Sequence, residues 1–425
     1  MVSRKDLIKL RQKIGSPPKL LRMITSFHED MQGTIQYDGS SSTPFSIKSG
    51  VKQGCVLAPT LFGIFFSLLL SHAFRSSDEG VYIHTRSDGK LFNIARLRAK
   101  TKVQRVLIRD MLFADDAALT AQSEEALQRL ITSFAHACRD FGLTISLKKT
   151  NIMGQDVSNT PNICIDDYTL DVVEEFTYLG STISSNLSID ADITKRIGKA
   201  ASVMARLSMR VWENTMLTTN TKMRVYQACV LSTLLYGSET WTSYAFQERR
   251  LNAFHMRCLR RILGITWQDH TPNKDVLEQA GIPSMFALLT QRRLRWLGHV
   301  SQTEDDRIPK YMLYGELATG TRPVGRPLLR FKDVCKRDMK ASDINPSTWE
   351  AMAADRSNWR LTVKEGTLRS DQKRSDQWEE RRELRQQRSA SILQPDSAFT
   401  CSNCNRICRS RIGLYSHSRR CSTAT

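Results

Sequence analysis

Two short runs, Val106–Ile108 and Met111–Leu119, are apolar and compatible with β structure, and the only break inside the second is a pair of adjacent carboxylates, Asp115 and Asp116. The segment reads as strand, tight turn, strand, with the carboxylates at the tip. Because strand side chains alternate faces, one carboxylate can project into a cleft while the other points elsewhere or ligates from the turn itself. Magnesium takes oxygen ligands and is commonly held by one or two carboxylates plus substrate phosphates, so very few acidic residues suffice if they are rigidly placed. Asp-Asp is equally a good turn dipeptide, and the pair alone leaves both readings open.

Upstream, Gly50-Val51-Lys52-Gln53-Gly54-Cys55 sets glycines around Lys52 and Gln53 and leads into the apolar stretch Val56–Leu70. Glycine lets backbone approach a ligand closely, and Gln53 can hydrogen-bond a base pair or a template backbone without demanding one sequence. The apolar stretch is shorter than the roughly 20 residues a bilayer requires and contains Pro59, so it reads as a buried helix and not a membrane span. In this order and spacing the glycine-flanked segment and Phe113-Ala114-Asp115-Asp116 resemble motifs B and C of the reverse transcriptases of non-LTR (LINE-type) retrotransposons.

That resemblance implies RNA-directed DNA synthesis, a nucleotidyl transfer in which Asp115 and Asp116 hold magnesium, two ions being expected in a complete site, while Lys52, Gln53 and Gly54 position nucleotide or template. Val81-Tyr82-Ile83 with Asp88-Gly89-Lys90-Leu91-Phe92-Asn93 resembles the family's connecting hairpin. Ser123 reads as the N-cap of a helix carrying Leu127, Leu130, Ile131, Phe134, Cys138 and Phe141 on one side and stopping at Gly142. Gly142–Thr150 then resembles motif D, in which Lys149 would assist departure of pyrophosphate; Lys148 and Lys149 also read as a solvated pair. Glu175–Ser181 resembles the primer-grip hairpin, with Tyr178, Leu179 and Gly180 against the primer end. Core packing of Phe176 and Tyr178 is compatible with the same residues.

The family's first metal ligand is a motif A aspartate that precedes Val-Ser-Arg. This chain opens Met1-Val2-Ser3-Arg4-Lys5-Asp6, so the resemblance places that aspartate, and the fingers, just upstream of Met1. Asp6 is no substitute, since it falls in a helix patterned by Leu7, Leu10 and Ile14. The implied object is an N-terminally shortened, carboxyl-terminal portion of the polyprotein without its endonuclease. The competing reading is a catalytically inactive nucleic-acid-binding remnant or a domesticated zinc-finger protein.

The fold class expected is α+β: a partial palm of antiparallel sheet and helices over residues 1–183, an all-α thumb or connection over 184–300, a basic linker and helical arm over 301–390, and a small ββα-like finger over 397–423. In the thumb, Ile189, Ile193, Ile197, Ala201, Met204 and Leu207 trace a helical stripe with Lys195, Arg196, Lys199, Arg206 and Arg210 on other faces, and a second helix runs from Asn220 to Tyr236. Helices continue from Trp241 to Trp296, short helices fit Phe331–Met339 and Trp349–Trp359, and Gly320–Pro327 reads as a linker. The formal net charge of +19 favours a polyanionic partner. By the resemblance, the partners are an RNA template, a DNA primer, deoxynucleoside triphosphates and a genomic DNA target. No charged-then-apolar leader opens the chain, which sets the expectation of a nuclear or cytoplasmic protein with reduced cysteines.

An independent constellation closes the chain. Two residues separate Cys401 from Cys404, twelve separate Cys404 from His417, and three separate His417 from Cys421. That is the spacing of a zinc finger with cysteine in the last ligand place, although a disulfide pair is an alternative use of the thiols. Phe399, Cys408 and Leu414 fall where such a finger builds its core. Its usual base-reading places hold Ser410, Gly413 and Ser416, which are short, and Arg406, Arg409, Arg411, Arg419 and Arg420 surround them. The finger is therefore expected to grip phosphate or RNA structure more than duplex sequence.

Overall fold

The computed structural model describes residues 4–51, 55–155, 157, 159–320, 325, 327–391, 399–408 and 410–421. Lys52, Gln53 and Gly54 lie outside the described residues, as does most of the expected Gly320–Pro327 linker. The first three helices, α1 (Arg4–Lys13), α2 (Pro18–His28) and α3 (Ala58–Phe74), bury Leu7, Ile24, Leu61 and Phe65 together. Pro59 sits in the first turn of α3, where a missing N–H costs no helical hydrogen bond. One expectation fails here. Ile14 is 47% exposed, because α1 stops at Lys13 and the turn through Gly15, with φ near +80°, carries the side chain outward. Helix α4 (Glu124–Asp140) begins where its cap predicts: Ser123 Oγ accepts from the Ala126 amide at 3.2 Å. It packs along α3 through Leu69, Ala137 and Cys138.

Sheets are small. Val81–Thr85 pairs antiparallel with Gln104–Ile108, and Glu316–Leu317 joins its other edge. The connecting hairpin therefore has its second arm at Gln104–Ile108 and not at Leu91–Asn93. The Asp88-Gly89 turn is present, with Gly89 at φ near +87°, but Leu91 leaves it to be fully buried beside Leu294, Leu297 and Trp349. Asp110–Phe113 and Asp116–Leu119 form a separate two-stranded hairpin.

The helical half is built on α5 (Asp190–Arg206), α6 (Thr219–Val225) with its wide-turned continuation Tyr226–Leu231 into α7 (Ser232–Leu234), α8 (Ala245–Leu263), α9 (Asn273–Ala280) and α10 (Met285–Ser301). Gly264 and Gly281 end helices in the left-handed conformation, whereas the helix expected to reach Tyr236 stops at Leu234 and left-handed Gly237 leads into the short turn Ser238–Thr240. Two readings of the α5 stripe are corrected. Ala200, not Ala201, is buried, and Arg196, expected on a basic outer face, is 5% exposed beside Ile193 and Met204. Its ion pair with Asp192 one turn earlier is what allows a guanidinium there.

Packing crosses the boundary expected at residue 300. Helices α11 (Ile308–Tyr314), α12 (Phe331–Ala341), α13 (Trp349–Ala354) and α14 (Arg356–Ser391) share one core with α10, formed by Leu294, Leu297, Cys335, Met339, Trp349 and Trp359. Trp359 opens α14 and does not close α13, because the Asp355 carboxylate accepts from the amides of Ser357 and Asn358 and so starts a new helix. A Cβ on Gly298 would lie 2.1 Å from the Trp359 indole nitrogen, which fixes how closely α10 and α14 approach. No helix among the described residues is long and apolar enough to cross a membrane.

His255 of α8 is completely buried with its Nδ1 2.7 Å from the Tyr226 hydroxyl, and burial lowers its pKa from 6.5 to about 4. Its contribution to stability is complete above the unfolded-state pKa. It is lost as pH falls from there toward 4, because the unfolded chain takes up the proton first. We expect urea titrations at stepped pH to show unfolding free energy falling by about 3 kcal/mol across that window, and His255→Gln to remove that part of the slope.

Candidate active site and metal centre

The carboxylate hairpin pairs Phe113 with Asp116, leaving Ala114 and Asp115 as its loop. Ala114 has φ near +53°, a conformation that a residue with a Cβ seldom adopts. Both carboxylates are exposed, and neither accepts a hydrogen bond or ion pair from the described residues. Two unneutralised carboxylates on consecutive residues at a tight loop are an oxygen-ligand set suited to a hard divalent cation.

A second hairpin lies against the first. Glu175–Tyr178 pairs with Ser181–Ser184 through the turn Leu179-Gly180, with φ near +48° and +83°. The Tyr178 hydroxyl donates to the Met111 carbonyl on the carboxylate hairpin at 3.1 Å. Burial, and then the nearby Asp116 charge, raise the Tyr178 pKa, so the phenol keeps the proton this bond needs.

The carbonyls of the turn are held from the helical half. Tyr236 Oη donates to Leu179 O at 3.1 Å, and Arg196 Nη2 donates to Gly180 O at 2.5 Å while its guanidinium lies over the Tyr236 ring at 4.6 Å. Asp192 pairs with Arg196 at 3.4 Å and accepts from the Thr182 amide and the Trp241 indole N–H, each at 3.1 Å. Sequence reasoning missed Asp192, Arg196 and Tyr236. The available signal was an acid and a base four residues apart on the same side as Ile193 and Ala200.

Of the other expected residues, Tyr178, Leu179 and Gly180 are brought to the carboxylate hairpin by that one hydrogen bond. Lys149 stands exposed on a single 3-10 turn, Leu147–Lys149, and no hydrogen bond or ion pair among the described residues joins it to Asp115 or Asp116.

At the carboxyl end, Phe399–Thr400 pairs antiparallel with Ile407–Cys408, and α15 (Arg411–Cys421) packs against both strands. The ligand atoms of Cys401, Cys404, His417 and Cys421 all lie within 4.8 Å of one another, with Cys404 Sγ 3.0 Å from His417 Nε2. Backbone amides of Asn403 and Cys404 lower the Cys401 pKa to about 6, favouring its thiolate, whereas the neighbouring Cys404 thiol raises Cys421 to about 11. Three thiols and an imidazole at this spacing fit tetrahedral zinc. Cys408 is buried outside the set, as a core thiol.

The family described as reverse transcriptase (RNA-dependent DNA polymerase) matches residues 2–183. An uncharacterized transposon-derived protein of Caenorhabditis elegans is 25% identical over 274 residues, 61% of this chain and 97% of that protein. The RNA-directed DNA polymerase from mobile element jockey of Drosophila melanogaster is 23% identical over 280 residues, 63% of this chain and 27% of that protein. The polymerase of transposon BS from the same fly is 23% identical over 258 residues, covering 58% and 26%. The chain thus spans about a quarter of the length of these polymerases.

Removing the Arg196 charge leaves Asp192 buried without its cation. We expect Arg196→Met to cost about 3 kcal/mol in urea unfolding, whereas Lys195→Met on the exposed side of the same helix should stay within about 0.5 kcal/mol.

Proposed function

We propose that this chain takes part in RNA-templated DNA synthesis through the paired hairpins, since residues 2–183 match the reverse transcriptase family and the chain is similar to the polymerases of mobile elements. The single observation that carries the reading is the Tyr178–Met111 hydrogen bond, which ties the hairpin assigned to the primer end to the hairpin that carries the carboxylates, through the strand opposite Asp116. Phosphoryl transfer depends almost wholly on positioning and electrostatics, so a fixed distance between primer grip and carboxylates is the property to look for.

In this reading Asp115 and Asp116 hold magnesium, which when bound supplies charge neutralisation at the α-phosphate of the incoming nucleotide. The Leu179-Gly180 turn orients the primer 3′-hydroxyl, and Lys149 would move toward the leaving pyrophosphate to balance its charge. Lys52, Gln53 and Gly54 are assigned to nucleotide and template by the family resemblance. Residues 1–183 act as palm and 184–300 as thumb, and Lys199, Arg206 and Arg210, exposed along one side of α5 and its continuation, face the template–primer backbone. Residues 301–390 brace both, and 397–423 form a zinc finger held by Cys401, Cys404, His417 and Cys421. The partners are RNA template, DNA primer, deoxynucleoside triphosphates and genomic DNA.

A second reading, nucleic-acid binding without polymerisation, is favoured by one observation: the C. elegans relative has nearly the extent of the matched region and is named only as transposon-derived. Primer extension on poly(rA)/oligo(dT) with magnesium separates the two. Extension abolished by Asp115→Ala is the expected result, and silence with RNA binding retained would leave the second reading standing. For the finger, metal analysis should find stoichiometric zinc that Cys401→Ser removes and Cys408→Ser leaves in place. Loss on Cys408→Ser would show the ligand set to be wrong.

A further inference from the structure

On α15 the side that packs and ligates carries Leu414, His417 and Cys421. At 3.6 residues per turn, Arg411, Ile412, Tyr415 and Arg419 fall within about 100° of one another on the other side. Tyr415 is 62% and Ile412 82% exposed. The Arg419 guanidinium lies 5.1 Å from the Tyr415 ring centroid, backing one face of the ring and leaving its phenol in solvent. Across residues 399–421 the chain contains five arginines and neither aspartate nor glutamate. The side chains long enough to reach a ligand are therefore not at Ser410, Gly413 and Ser416, where a duplex-reading finger would need them.

We propose that this face of the finger binds unpaired nucleotides: a base stacks on Tyr415 beside Ile412, and Arg411 and Arg419 pair with the flanking phosphates. The proposal rests on the zinc reading given above only in that the metal holds α15 in place. Charge selects the occupant, because an exposed aromatic within an all-basic segment is complementary to a polyanion with accessible π faces. A duplex buries those faces in its own stack. RNA and single-stranded DNA share the chemistry invoked, and the assay separates them.

The test uses the full zinc-loaded chain, with zinc content as the folding control for each variant. Single-stranded RNA and DNA 20-mers carrying 5-iodouracil, and the corresponding duplexes, are photocrosslinked and mapped by mass spectrometry. Affinities are measured by anisotropy at raised salt, where purely phosphate-driven binding by the rest of this basic chain is weakened. We expect crosslinks at Tyr415 from single strands and not from duplexes. Tyr415→Ala should cost about tenfold in single-strand affinity, with Tyr415→Phe close to wild type. A 2′-hydroxyl contribution would appear as RNA exceeding DNA. Single-strand affinity unchanged in Tyr415→Ala, or equal losses for duplex and single strand, would overturn the proposal. So would a change in self-association on Tyr415→Ala with oligonucleotide binding intact, which would make the face a protein contact. Zinc-free protein that keeps both fold and Tyr415 crosslinks would instead refute the zinc reading alone.

Discussion

The Asp192–Arg196 pair is the constraint on which the geometry of the candidate active site depends. Both side chains are nearly inaccessible to solvent, and each also holds the hairpin that approaches the carboxylates: Asp192 accepts from the Thr182 amide, and Arg196 donates to the Gly180 carbonyl. A buried ion pair adds little net stability compared with an apolar pair, but it is unforgiving about geometry, since displacement of either partner strands a charge. Here that intolerance fixes a turn that would otherwise project from a two-stranded ribbon. Tyr236 secures the adjacent carbonyl, and Tyr178 passes the constraint on to Met111 and so to Asp115 and Asp116.

A second buried cation does comparable work further along the chain. Arg293 of α10 is 1% exposed and reaches Asp338 on α12 at 2.7 Å and Glu248 on α8 at 3.2 Å, with Ser243 completing its shell. Together with the strand that Glu316–Leu317 adds beside Val81–Thr85, and with Leu91 seated among the α10 and α13 side chains, it makes the segment after residue 300 part of the support for the amino-terminal sheet. The hairpin leading to the carboxylates is thus braced from a part of the chain more than 200 residues away in sequence, through contacts such as Arg96 to the Tyr314 carbonyl at 2.8 Å.

Much was legible from the sequence because it depends on local rules. Ser123 capped its helix, Pro59 opened another, and the Asp-Asp break in an apolar run produced a hairpin with the carboxylates at its tip. The clustering of Cys401, Cys404, His417 and Cys421 was legible for a related reason: a helix and a hairpin of fixed rise bring side chains at this spacing together with little choice. Arg196 and Arg293 were misread or unassigned because charge periodicity describes a helix in water, and it gives no warning that a carboxylate from another turn or another helix will accompany the cation into the core.

The sequence by itself determined the carboxylate pair and the cysteine–histidine spacing, the turns around them, many of the helix ends and the likeness to reverse transcriptases. These are properties of short segments, set by backbone sterics, capping and side-chain period. Only the tertiary structure decided which hairpin supports which, that the region beyond residue 300 packs as scaffold, and that basic residues serve as internal ties. Those outcomes follow from burial, where the cost of desolvating a charge is met by a partner that enters the core with it, Asp192 one turn away for Arg196 and Asp338 and Glu248 from other helices for Arg293.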